Sequence, residues 1–340
     1  MKKIFNLFIY LKNIFFFILL IIERNFHKIK IISYVREIKS RILKSKKSIC
    51  IIYNNNFTNF TYGEYLYSVF LAKYFLIKNK KIKFIIIKGN FYNKKFPQKK
   101  IKKFTKDQVE IAKKILKSKK VTIDLIEWNE IDLLNLKKNN EILFYNQIIK
   151  QKKTYIYYFN LLNNLLKNEN KKFIKNVLLN KNSKNENKKI KKVTPYVAWH
   201  FRYNRVWGSH YNNNFDEFIK IHNYLSNKFK NYKLLIVSDL TGCMKAKQYA
   251  KKLKKKLYFS KNYTSSFFED IQIILNANFY FQYKAGGMNI IAQFSRIPYE
   301  ILAMGTPEEI PWSNIHYTSW QQKNQKRVWN KINIGMIKDD

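Results

Sequence analysis

The sequence predicts an α/β protein built from two doubly wound, Rossmann-like domains facing a cleft, preceded by an apolar N-terminal helix. Three observations carry this. Short β-branched runs alternate with segments of helical apolar period, and the alternation occurs twice along the chain. A charged, low-complexity stretch separates the two series. With 340 residues, the chain exceeds what one core organises, so two domains of about 150 residues each are expected.

In the first series, residues 48–53 (SICIIY) read as a buried parallel strand. A polar loop with Asn54, Asn55 and Asn56 follows. Thr61-Tyr62-Gly63-Glu64 then opens a helix, and residues 82–89 (IKFIIIKG) form the next strand. Strand, helix, strand implies a right-handed crossover in a parallel sheet. A helix over 105–117 carries Asp107 near its start, where an acid opposes the positive end of the dipole. Strands at 121–128 and 141–149 and an aromatic helix at 154–166 complete this half. Residues 179–192 (LNKNSKNENKKIKK) have no apolar period and read as a linker. The expected organisation is therefore an apolar and basic segment at 1–47, a first domain at 48–178, the linker at 179–192 and a second domain at 193–340.

The second series runs strand 193–199, helix 214–228, strand 233–238, helix 244–254, short strand 257–259 and helix 267–275, with Glu269 and Asp270 in that helix's first turn. Strand 277–283 follows, then a Gly286-Gly287 turn into a helix through Phe294, and a last strand at 298–302.

Composition excludes less than it first suggests. The formal charge of +44, from 66 Lys plus Arg against 22 Asp plus Glu, would ordinarily point to nucleic acid or an anionic membrane surface. Here lysine, asparagine, isoleucine and the aromatics are abundant while Gly (8) and Pro (5) are scarce, the pattern of AT-rich compositional drift. The charge is spread along the chain and builds no recognisable nucleic-acid module, so no specific nucleic-acid partner is expected. The informative residues are those that drift does not supply: glycines, arginines, acids, histidines and tryptophans. Cys50 and Cys243 stand far apart in apolar contexts without metal spacing and read as buried thiols.

Residues 4–22 (IFNLFIYLKNIFFFILLII) are long enough to cross a bilayer, but Asn6, Lys12 and Asn13 interrupt them. The cations that follow, from Arg24 to Lys47, would keep the body of the protein on the cytoplasmic side if the segment inserts, or favour anionic lipid if it lies on the surface. The expected location is the cytoplasmic face of a membrane. An ordinary buried apolar helix explains the same residues.

Three places could carry chemistry. In VAWHFRYNRVWGSHYN (residues 197–212), His200, Arg202 and Arg205 stand at a strand's carboxyl end, where ligands bind in doubly wound sheets. Arginine is rare here and offers a planar fork to two phosphate oxygens; a surface arginine and a strand-capping histidine are the bland alternative. Ser238-Asp239 ends the next strand, where Asp239 either caps the following helix or accepts hydrogen bonds from a ribose or base. YKAGGMN (residues 283–289) places Ala285, Gly286, Gly287 and Met288 between a strand and a helix, a setting in which backbone approaches a phosphate closely or in which a tight turn simply needs freedom. No phosphate-binding loop of the Gly-rich Lys-Ser/Thr type, metal helix or nucleophile elbow is present.

Taken in order, YVAWHFRYNR, KLLIVSDL and SSFFEDIQIILNANFYFQYKAGGMNIIAQF resemble the donor-binding half of GT-B fold glycosyltransferases. The nearest likeness is to the fucosyltransferase superfamily that uses GDP-fucose, with the heptosyltransferases as second choice because of the Gly-Gly turn. The matching residues are His200 and Arg202, Ser238 and Asp239, and Glu269 and Asp270 leading to Ala285–Met288. Tyr203 stands where that family has a second arginine, so Arg205 would share the phosphate contact. The resemblance implies inverting transfer of a sugar from a nucleotide-sugar to a cell-surface glycan or lipid-linked acceptor; no cofactor is expected, and no required metal, since the sequence shows no Asp-x-Asp metal motif. It gives Arg202, Arg205 and the Gly286-Gly287 amides the leaving diphosphate and Asp239 the nucleoside. Glu64 is the candidate base for the acceptor hydroxyl, and a capping acid at a helix start explains it equally well. Two other readings fit the composition: a non-catalytic basic protein held on membrane or nucleic acid, and another two-domain α/β enzyme acting on a phosphorylated small molecule.

Overall fold

The apolar runs form the strands of two parallel sheets, because a strand buried on both faces has no polar face to alternate with. The computed structural model describes residues 11, 43–56, 62–89, 98–145, 162, 165–166, 169–180, 193–203, 212–284, 287–303 and 325–329. The chain divides into two compact units, Met1–Val177 and Leu178–Asp340.

In the first unit, β1 (Ser48–Asn54) leads through α1 (Tyr62–Ile77) to β2 (Ile82–Ile87), then through α2 (Gln98–Ile115) to β3 (Val121–Ile126). A short helix α3 (Leu133–Asn139) precedes β4 (Asn140–Tyr145), and α4 (Lys171–Val177) closes the unit. The sheet order is β3-β2-β1-β4, all parallel. β1 is central, and Ile49, Cys50, Ile51, Ile52 and Tyr53 are almost wholly buried. α1 is apolar nearly all round: Tyr65, Leu66, Val69, Phe70, Tyr74 and Phe75 are all inaccessible, so it is held by packing more than by one stripe. In α2 the stripe is narrow, with Ile101, Phe104, Gln108, Ile111 and Ala112 inward.

That stripe changes two expectations. α2 begins at Gln98, seven residues before the expected start, because Ile101 and Phe104 belong to the same face although lysines surround them. Asp107 consequently sits in mid-helix, buried, where it accepts from the Tyr62 hydroxyl at 2.6 Å instead of opposing the dipole.

In the second unit, β5 (Tyr196–His200), α5 (Phe215–Lys228), β6 (Lys233–Val237), α6 (Leu240–Lys252), β7 (Tyr258–Phe259), α7 (Phe267–Asn276), β8 (Phe279–Tyr283), α8 (Asn289–Gln293) and β9 (Tyr299–Ala303) follow the expected alternation. A further strand, β10 (Gln325–Trp329), adds to β9. The order is β10-β9-β8-β5-β6-β7, again all parallel. Val197, Trp199 and Phe201 point to the face covered by α5 and α6, packing with Phe218, Ile221, Leu225 and Ala246. The rings of Trp199 and Phe218 lie 4.8 Å apart. On the opposite face the Tyr196 hydroxyl donates to the Ile273 carbonyl of α7 at 2.7 Å. Each such buried large side chain contributes about 1.5–3 kcal/mol.

α6 starts at Leu240 and not at Met244, since Asp239 caps it and Gly242 is accommodated in its first turn. Leu179, first residue of the expected linker, forms a parallel bridge with Ser295. Residues 181–192, most of the helix expected at 154–166 and nearly all of the expected 4–22 segment lie outside the described residues; of the helix, Leu162, Leu165 and Leu166 are helical and buried, and of the last segment Leu11 is helical and exposed. Among the described residues no helix is long and apolar enough to cross a membrane. Cys50 and Cys243 are both free and buried.

Candidate functional site

The chain of the second unit enters the sheet at β5, builds outward through β6 to β7, and then returns to the other side of β5 as β8. In doubly wound sheets a reversal of strand order of this kind, between two neighbours such as β5 and β8, marks the carboxyl ends at which a ligand crevice opens. His200, the last residue of β5, is in register with Gln282 of β8. The Arg202 turn and the Gly287-Met288 turn therefore flank this switch point. Ser238 and Asp239 end β6, on the next strand over. Sequence-predicted residues from three separate stretches thus fall on three adjacent strands.

The turn after β5 is fixed by Asn213. Its side-chain oxygen accepts from the Arg202 amide at 3.0 Å, and its own amide donates to the Arg202 carbonyl at 3.0 Å. A reciprocal pair of this kind satisfies backbone groups where the ladder has ended. His200 is buried, and its pKa is pushed down to about 3, first by burial and then by the Arg202 charge. It is a neutral imidazole at physiological pH and not a cation. Tyr203, partly buried against the core, lies under the Lys245 ammonium, 5.6 Å from ring centre to nitrogen.

At the end of β6, Asp239 is exposed and caps α6, accepting from the Gly242 amide at 2.7 Å. Ser238 is buried, and its carbonyl accepts from the Ser260 hydroxyl at 3.4 Å. At the end of β8, the helix after Gly287 and Met288 is only five residues long. Its macrodipole is correspondingly small, so any anion contact there is local. Met288 is buried and Gly287 half-buried.

The acids at the start of α7 have structural partners. Glu269 closes a capping box with Ser266. Partial burial raises its pKa, but the Ser265 and Ser266 amides, the Ser265 hydroxyl and the Lys261 charge bring it below the usual range. Asp270 is buried; burial pushes its pKa up against the lowering pull of Lys261, with which it is ion-paired, and of the Thr264 hydroxyl at 2.7 Å. Arg205, Ala285 and Gly286 lie outside the described residues, and Glu64 lies in the first turn of α1, in the first unit.

Sequence reasoning missed Gly242, Asn213, Lys284 and Glu217. Gly242 had a signal: a glycine inside a helical pattern, in a chain with so few, asks for a packing reason. Lysine drift concealed Lys284.

The first unit has its own switch point between β1 and β4. Buried Asn55 exchanges two hydrogen bonds with Gln108, at 2.9 and 3.1 Å. A groove of ≈ 1070 Å³ runs beside α2 at the carboxyl ends of β2 and β3, with Lys88, Lys102, Lys106, Leu125 and Trp128 among its walls. No group of His, Cys, Asp and Glu able to hold a metal occurs among the described residues.

No family model and no curated protein matches the chain. Among solved structures it is similar to a glycosyl transferase family 9 protein from Veillonella parvula, at 9% identity and a TM-score of 0.44, over 84% of this chain and 86% of that one.

Proposed function

We propose that the protein is a glycosyltransferase that moves a sugar from a nucleotide-sugar, GDP-fucose among the candidates, to a cell-surface glycan or lipid-linked acceptor with inversion. The observation that supports this reading is the adjacency of β5 and β8, the strands whose carboxyl ends lead to the Arg202 turn and towards the Gly287 turn. An anionic leaving group there meets a permanently charged guanidinium and closely approaching backbone. Stabilisation of charge as it develops is the largest contribution such a site makes.

In this reading Arg202 and Arg205 take the diphosphate, Gly286 and Gly287 let backbone approach it, and Ser238 and Asp239 face the nucleoside. His200, held neutral, donates or accepts one hydrogen bond. Glu64 is the base that takes the acceptor proton. No metal is required, because arginine supplies the positive charge. The apolar residues 4–22 and the basic residues after them hold the enzyme to the cytoplasmic face of an anionic membrane.

The test is a thermal-shift panel of GDP-, UDP-, ADP- and CMP-sugars, with and without Mg²⁺. A ligand at 100 times its Kd adds about 2.7 kcal/mol and raises the midpoint visibly. One nucleotide class is expected to stabilise the wild-type protein independently of Mg²⁺, and Arg202→Ala to weaken its binding about tenfold or more. No shift with any donor, or unchanged affinity in the variant, rejects the assignment.

A further inference from the structure

Lys284, the residue after β8, is the one place in the described chain where a buried ammonium, a left-handed backbone and the switch point coincide. Its side chain is 9% exposed, and its ammonium lies 2.5 Å from Glu217 Oε1, with that side chain 6% exposed. It also donates to the Asn212 carbonyl at 3.1 Å. Its φ is 67°. The other non-glycine residues described with positive φ, Asn79 and Lys254, close the carboxyl ends of α1 and α6, where that conformation is ordinary. Lys284 instead follows a strand, where a left-handed lysine is strained. Compositional drift supplies surface lysines; it does not account for one that is desolvated, paired and strained.

The Lys284 amide continues the ladder to the Leu302 carbonyl, but the oxygens that hold its ammonium, those of Asn212 and Glu217, belong to the segment that fixes Arg202. Asn212 precedes Asn213, whose side chain and amide hold the Arg202 backbone. Glu217 uses its second oxygen to accept from the Asn214 amide at 3.0 Å while Asn214 caps α5. One ion pair therefore ties the end of β8 to the chain that enters α5 from β5, across the switch point. A buried ion pair adds little net stability compared with apolar packing, and its best-attested use is to set registry.

We infer that Lys284 and Glu217 form a latch holding the Arg202 turn in register with the turn after β8, and that Lys284 is a positioning residue for the anion bound between them. The latch stands on this geometry; the anion's identity as the leaving diphosphate rests on the transferase reading above. Hydrogen exchange of the full chain tests the latch without any ligand. Lys284→Met is expected to speed exchange about tenfold in peptides covering 196–203 and 212–220 while β6 keeps its protection, and Lys284→Arg to restore it. Unchanged exchange, or equal acceleration in β6, overturns the latch. Should Lys284→Met not fold, Glu217→Gln is read instead, because it removes the charge and keeps an oxygen for the Asn214 amide.

Affinity for GDP and ADP then tests positioning. Lys284→Met is expected to weaken binding about tenfold when Arg202 is present and less than about twofold in Arg202→Ala, since residues that act through one another are not additive. Equal losses in both backgrounds overturn action through Arg202. A wild-type protein that binds neither nucleotide removes the diphosphate reading and leaves the latch to the exchange result.

Discussion

A Cβ added to Gly242 would lie 1.9 Å from the Ser238 Oγ and 2.9 Å from its Cβ. The first turn of α6 thus rests directly on the end of β6, and the close approach lets Asp239 cap the helix from the strand end. Gly242→Ala is expected to destabilise the protein by about 1–3 kcal/mol through overpacking. Ser238→Gly in the same chain removes both offending atoms and recovers most of the loss. Urea unfolding of the three variants checks this, and a Gly242→Ala midpoint equal to that of the wild type would contradict it.

Asp239 has a capping role on view and a nucleoside role by proposal, and asparagine separates them. Asparagine caps as well as aspartate, so Asp239→Asn should leave stability within about 0.5 kcal/mol while Asp239→Ala costs about 1 kcal/mol. If the carboxylate accepts from ribose or base, Asp239→Asn also weakens nucleotide binding about tenfold, as for a charge-assisted hydrogen bond. Unaltered affinity in calorimetry would restrict Asp239 to the cap.

His200 makes the fold acid-sensitive. Its pKa falls from the ordinary 6.5 to about 3 on folding, so the unfolded chain takes the proton first. The stability concerned is present above about pH 6.5 and is lost as pH falls towards 3, at up to about 1.4 kcal/mol per unit. His200→Leu should flatten this dependence. Unfolding free energies measured at pH 7 and pH 5 decide it: equal losses in variant and wild type would mean that another group is responsible. His222 shifts downward as well, chiefly through burial, and His222→Asn is the control.

The Asn55–Gln108 pair should be costly to break and cheap to replace. Both residues are fully buried, so Asn55→Ala leaves the Gln108 amide without that partner, at about 1–3 kcal/mol. The double change to leucine removes both polar groups and should be milder than Asn55→Ala. A double variant less stable than the single one in chemical denaturation would show that the pair does more than satisfy itself.

Each place where sequence reading fell short has its own physical cause. α2 was legible only from Thr105 because Ile101 and Phe104 are embedded in lysines, and a two-residue apolar signal in a polar run carries no period of its own. The start of α6 was obscured by Gly242, whose penalty in a helix is outweighed by the contact it permits with Ser238. β10 is a short run, QKRVW, at the sheet edge, where one neighbouring strand suffices and the apolar pattern is weak.

By itself, the sequence determined the class of the fold, two parallel α/β sheets, and the strand ends on which His200, Arg202, Ser238, Asp239 and Gly287 stand. It could do so because burial on both faces demands continuous apolar runs and the connections demand helical periods. Only the tertiary structure decided that β8 returns beside β5, that the strands leading into the Arg202 and Gly287 turns are therefore neighbours, and that Lys284 reaches Glu217. Ladder hydrogen bonds join backbone atoms that are the same in every residue, so strand order leaves little trace in residue type. A buried lysine, likewise, is spelled no differently from an exposed one.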